Sequence, residues 1–131
     1  MPQSKYDLEE RLLDFAAQII RLVERLDTTK AGNHVGGQLL RCGTSPLFNH
    51  GEAQAAESPK DFSHKLKICL KELRETHRAL RLIQRVPLTN PSTVVDPILQ
   101  ETEELIKIFM SSIRTVEKRI VRDIPQEEYG A

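Results

Sequence analysis

The chain has 131 residues, with 19 Lys plus Arg against 19 Asp plus Glu, so its formal net charge at neutral pH is zero. With 39% hydrophobic and 29% charged residues it has the composition of one folded domain rather than a disordered segment. Aromatics at 5% with no Trp exclude an aromatic-rich sandwich or a base-stacking surface, and no apolar run approaches the ~20 residues that span a bilayer.

The periodicity is helical throughout. Leu8, Leu12, Phe15, Ile19, Leu22 and Leu26 are spaced alternately four and three apart, one stripe on one helix face over residues 7–26. Leu13, Ala16, Ile20 and Val23 widen that face, and Asp7, Glu9 and Glu10 suit the positive end of the helix dipole. Asp27-Thr28-Thr29 breaks the pattern and offers caps for a second helix over 30–57. Its seam is Val35, Leu39, Cys42, Pro46, Asn49, Ala53 and Ala56, and it carries Gly32, Gly36, Gly37, Gly43 and Gly51. Each interior glycine costs up to ~1 kcal/mol against alanine, which is tolerable where a neighbouring backbone packs close. Pro46 cannot donate to the carbonyl of Cys42, so a kink between Cys42 and Pro46 is expected, in preference to a full break.

Ser58-Pro59, with Asp61 in the first turn, starts a third helix over 59–86. Its heptad seam runs Phe62, Leu66, Cys69, Leu73, Thr76, Leu80, Ile83, and Pro87 ends it. The fourth helix, over about 93–122, has the seam Ile98, Thr102, Leu105, Phe109, Ile113, Val116, Ile120, with Asp96-Pro97 as its start signal and Thr93 as an alternative cap. Residues 123–131 read as a tail, with Pro125 stopping the helix. Four amphipathic helices joined by short connections in one domain over 1–131 predict an all-α, antiparallel up-down four-helix bundle. Leu13, Ile20, Leu40, Leu47, Phe48, Leu70, Leu82, Ile106 and Ile108 lie off the seams; they either widen the core or form an exposed interface patch.

Charge is segregated: net −2 over residues 1–57, +5 over 58–86 and −3 over 87–131. On the third helix Lys67, Lys71, Arg74, Arg78, Arg81 and Arg85 recur at helical spacing, roughly opposite the apolar seam. Two readings of this ridge stand. It is either a solvated face paired with fourth-helix acids such as Glu101, Glu103 and Glu104, or a track for a phosphate backbone. A second polar group, Arg41, Ser45, Asn49 and Glu52, shares one face of the second helix, with Lys65, Glu72 and Glu75 on the third. An inter-helix network that sets register is preferred there to a ligand site.

Catalysis finds no support. There is no Glu-x-x-His, His50 and His64 alone fill no zinc shell, and Ser45 has no histidine at neighbouring helical spacing. Gly36-Gly37 lacks the context of a phosphate loop, and Cys42 and Cys69 read as small core residues. No enzyme activity, metal or cofactor is expected. The acidic start MPQSKYDLEERLL is no signal peptide and two cysteines make no disulfide framework, so a cytoplasmic setting without membrane association is the expectation.

The stretch Ala31-Gly32-Asn33-His34-Val35-Gly36-Gly37-Gln38-Leu39-Leu40-Arg41-Cys42-Gly43-Thr44-Ser45 resembles the "four helix bundle protein" family, also called the large-subunit ribosomal RNA intervening-sequence protein. Glu52-Ala53-Gln54-Ala55-Ala56-Glu57-Ser58, Asp61-Phe62, Lys65-Leu66-Lys67 and Leu70-Lys71-Glu72-Leu73-Arg74-Glu75-Thr76 extend the likeness, which covers about residues 6–122. The resemblance implies a four-helix bundle assembled as a ring-shaped homopentamer, and it assigns no established biochemical role. It also implies a likeness to the accessory variability proteins of diversity-generating retroelements, which bind nucleic acid through basic surfaces. Arg41, Thr44, Ser45, Asn49, Glu52, Lys65, Glu72 and Glu75 occupy the family's motif positions. Pro46-Leu47-Phe48 and His77-Arg78-Ala79 depart from its pattern; the first bears on the straightness of the second helix, the second sharpens the basic ridge. The expected protein is therefore a non-catalytic homo-oligomer, pentameric by resemblance, with RNA or a nucleoprotein as candidate partner of the ridge. The alternative is a structural adaptor for an acidic protein.

Overall fold

The computed structural model describes residues 5–123; the first four residues, and all of the tail expected at 123–131 except Asp123, lie outside the described part. Four long helices are present: α1 (Lys5–Arg25), α2 (Lys30–Gln54), α3 (Pro59–Arg85) and α4 (Asp96–Arg122). No strand occurs among the described residues. Neighbours in sequence pack side by side; the α2–α3 pair is the most extensive, and α1 closes on α4 only sparsely.

The seams become the core. Leu12, Phe15 and Ile19 of α1, Leu39 of α2, Leu66, Leu73, Leu80 and Ile83 of α3, and Leu105 and Phe109 of α4 are all essentially solvent-free. At roughly 25 cal/mol per Å² of apolar surface, this burial is what holds the helices together. The α2 glycines explain how α1 and α2 approach. A Cβ at Gly43 would stand 2.8 Å from two carbons of Ile19, and one at Gly36 would lie 3.3 Å from Leu26 Cδ1. At Gly37 and Gly51, by contrast, a Cβ would meet nothing within 4 Å.

Helix ends follow local chemistry. Thr29 Oγ1 accepts from Gly32 N at 3.0 Å, and Ser58 Oγ accepts from Asp61 N at 3.1 Å, so α2 and α3 start on the expected caps. Two boundaries differ from expectation. First, α2 ends at Gln54, not at residue 57, because Ser58 must be extended (φ −149°, ψ 160°) to cap α3, and the chain needs 55–58 to reverse. Second, neither Thr93 nor Asp96 caps α4. A 3-10 turn, Ser92–Val95, leads in, and Asp96 is already helical, its carboxylate accepting from Gln84 Nε2 of α3. Pro46 does not divide α2, which runs unbroken past it.

Candidate nucleic-acid interface

The six ridge cations stand on α3 because its other face is anchored in the core by Leu66, Cys69, Leu73, Thr76, Leu80 and Ile83. Lys67, Lys71, Arg74, Arg78, Arg81 and Arg85 are all exposed. Their pairing with acids is uneven. Lys67 Nζ reaches Glu117 Oε2 at 2.9 Å. The other fourth-helix acids are taken elsewhere. Glu101 holds Arg11 of α1 in a two-pronged bridge at 2.6 and 3.0 Å, Glu103 meets His77 Nε2 at 2.9 Å, and Glu104 lies 3.9 Å from Lys107. Among the described residues, no carboxylate lies within 4.0 Å of Lys71, Arg74, Arg78, Arg81 or Arg85. Arg74 rests instead against Met110 Sδ at 3.8 Å.

Two open depressions flank this row along the α3–α4 groove. One, of about 500 Å³, is lined by Arg74, His77, Arg78, Arg81, Ile106 and Lys107 together with Glu103. The other, of about 540 Å³, has Lys67, Lys71, Arg74 and Arg78 around Leu70 and Ile113, together with Glu75. Lys107 was not singled out from the sequence. Its place beside α3 follows from α4 packing through the Glu103 and Ile106 side, which a single-helix wheel does not reveal.

The second polar group comes together only in part. Lys65 Nζ lies 3.5 Å from Glu52 Oε2, and Asn49 Nδ2 donates to Ser45 Oγ at 2.7 Å and to Ser45 O at 3.1 Å. Thr44 Oγ1 donates back to Leu40 O at 2.6 Å. Arg41 is exposed on α2, and it and Glu72 and Glu75 make no ion pair within 4.0 Å among the described residues. Burial and the neighbouring Glu75 raise the carboxyl pKa of Glu72, partly offset by Lys71 and Arg41. Arg41 and Glu75 instead line a depression of about 390 Å³ between α2 and α3, with Arg78 at its edge.

Cys42 and Cys69 are buried and free, and burial pushes the Cys69 thiol up to about 12, so it is no nucleophile at neutral pH. His50 is buried against Phe109, whereas His64 is exposed. Among the described residues no group of three His, Cys, Asp or Glu could hold a metal ion.

The off-seam apolar residues divide. Leu70 is buried and Leu47, Ile106 and Ile108 are half-buried, but Leu13, Ile20, Leu40, Phe48 and Leu82 are exposed. At ~100° per residue, Asn33, Gly37, Leu40, Thr44, Leu47, Phe48 and Gly51 occupy one outer arc of α2. That arc carries no charged side chain between Asn33 and Gly51, in a chain that is 29% charged. Leu13 and Ile20 extend it onto α1, on the side where Ile19 and Val23 meet the α2 glycines.

Residues 5–111 match the family described as 23S rRNA-intervening sequence protein. Among solved structures, a protein of unknown function from the S23 ribosomal protein family of Bacteroides thetaiotaomicron is 33% identical with a TM-score of 0.74, covering 80% of this chain and 96% of that one. No curated protein matches the chain.

Proposed function

The chain belongs to the 23S rRNA-intervening sequence protein family, and from that membership we propose that it is a non-catalytic, self-assembling helical bundle that holds the phosphate backbone of RNA along α3. The observation that carries this reading is the row Lys71, Arg74, Arg78, Arg81 and Arg85, exposed and with no carboxylate within 4.0 Å among the described residues, while the α4 acids Glu101, Glu103 and Glu117 face Arg11, His77 and Lys67, and only Glu72 and Glu75 stand unpaired beside the row. A solvated face of an ordinary bundle is laced with opposite charges; this one is left positive on a molecule of zero net charge. Lys and Arg supply such contacts to phosphates, and their strength falls with salt through counterion release.

The self-assembling part rests on the uncharged outer arc of α2 and its extension over Leu13 and Ile20. A ring of five copies needs two different surfaces to meet, and the exposed Leu82 and Val86 near the end of α3 offer a second apolar edge. The setting is the cytoplasm, where buried thiols such as Cys42 and Cys69 stay reduced.

A salt titration tests the RNA reading. Five phosphate contacts give a log–log slope of about −3.5 to −4.5. The triple change Arg74→Glu, Arg78→Glu, Arg81→Glu abolishes binding. An equal charge change at the exposed Arg21, Lys60 and Lys118 leaves most of it. Undetectable RNA affinity at low salt removes the proposal, and binding of polyglutamate without RNA binding puts the acidic-protein adaptor in its place.

A further inference from the structure

We propose that the RNA held by this ridge is base-paired, gripped through its backbone without regard to sequence, and not a single strand; the inference rests on the reading that α3 binds RNA at all. The row from Lys67 to Arg85 runs about 27 Å along one helix. That helix is stiff, because its inner face is locked by Leu66, Leu73, Leu80 and Ile83, each at most 2% exposed. A flexible strand laid on a straight row of cations must be ordered along its length, at an entropic cost. Single-strand binders offset this by stacking bases on aromatic rings, worth about 1–3 kcal/mol per base.

Among the described residues no phenyl ring lines the row. Among the described residues Phe15 and Phe109 are in the core, Phe62 is packed against it, and Phe48 faces outward from α2. The imidazole beside the row, His77, is engaged by Glu103. The apolar side chains that border the cations are not aromatic: Leu70, Ile106 and Ile113 in the two depressions, and Met110 beside Arg74. Acids stand beside the row on both sides: Glu72 toward α2, Glu75 in the depressions on either side, and Glu103 and Glu117 toward α4. They repel phosphates that stray from the row, so the contact is one narrow track.

A duplex meets these terms. Its phosphates are already ordered, and each contact releases more counterion than on a single strand, about 0.9 against 0.7. The major groove of A-form RNA is too deep and narrow for side chains to read, and its shallow minor groove is met mostly through shape, 2′-hydroxyls and phosphates, so the same track fits any paired sequence.

The test is fluorescence anisotropy of the full chain at low salt with four labelled probes. They are two unrelated RNA duplexes of about 20 base pairs, long enough for the row to lie fully on paired backbone, and the separated, unstructured strands of one of them. The expected result is equal affinity for the two duplexes within about twofold, at least about tenfold above either strand, with the salt slope steeper for the duplexes. Strands binding as tightly as duplexes overturn the inference while leaving RNA binding by α3 in place. A large difference between the two duplexes overturns its sequence-independence. Binding to none of the four overturns the reading beneath it as well.

Discussion

Gly43 is where α2 presses hardest on a core side chain of α1. The atoms a methyl would strike belong to Ile19, which is fully buried and has no room to yield. Gly43→Ala is therefore expected to cost about 1–3 kcal/mol as an overpacked contact, read as a lower urea midpoint. Gly37→Ala has the opposite expectation within one protomer, a gain of up to ~1 kcal/mol from helix propensity with no collision. His50 is one residue expected to make stability depend on pH. Its ring is 5% exposed, lies edge-on to Phe109 at 6.2 Å, and its Nδ1 has no hydrogen-bond partner in the structure. Burial lowers its pKa from 6.5, with Glu9 pulling the other way. The folded state then binds fewer protons than the unfolded one, so stability falls as pH drops below about 6.5 and levels off once the folded imidazole also protonates. Urea midpoints at about pH 7.5 and about pH 5.5 should show this fall, and His50→Leu should flatten it. A fall that persists in that variant would assign the effect to another group.

Among the elements, α1 is the least tied. It packs on α2 through the glycine face, but toward α4 its contacts are sparse and the Arg11–Glu101 bridge stands out, both side chains about a quarter exposed. Arg11→Ala should cost about 1 kcal/mol, and amide exchange should quicken in α1 more than in α2 and α3; a uniform change across all four helices would contradict this. That bridge is not legible in the sequence, where Glu101 reads as one of the α4 acids facing the α3 ridge. Seams, caps at Thr29 and Ser58, and the α3 stop were legible, because they are set by neighbours a few residues away. The end of α2 and the start of α4 were not. The first is decided by the room the chain needs to reverse, the second by Gln84 on another helix drawing the Asp96 carboxylate away from a cap.

At the scale of the whole molecule, the surface has two contrasting regions: a cationic row on α3 and an uncharged arc on α2 continued by Leu13 and Ile20. No described helix is long and apolar enough to cross a membrane. Water does not favour the exposed Phe48, 68% accessible, or Leu40, 40% accessible, beside mid-helix glycines with open space above them. Phe48→Glu with Leu40→Glu should reduce the mass measured by light scattering to that of one chain, while far-UV circular dichroism stays helical. A wild-type protein that is already monomeric at tens of micromolar would remove self-assembly from the proposed function. RNA affinity of the dissociated variant should fall as well, since copies that share one RNA gain effective concentration from one another.

The sequence by itself determined that the chain is helical, where the four helices lie, which residues face inward, and that six cations share one ridge. All of these follow from the helical period and from chemistry local in the chain. Tertiary structure alone decided which charges are spent on one another. Arg11 reached Glu101 across 90 positions of sequence and Lys67 reached Glu117 across 50, and His77 took Glu103, leaving five ridge cations without an acidic partner among the described residues. It also decided which glycines are packed and which stand open, and that Leu40 and Phe48 remain uncovered. The physical reason is common to these outcomes: an ion pair or a close contact depends on which helix faces which and at what height, and a single helix's periodicity carries no record of its neighbour.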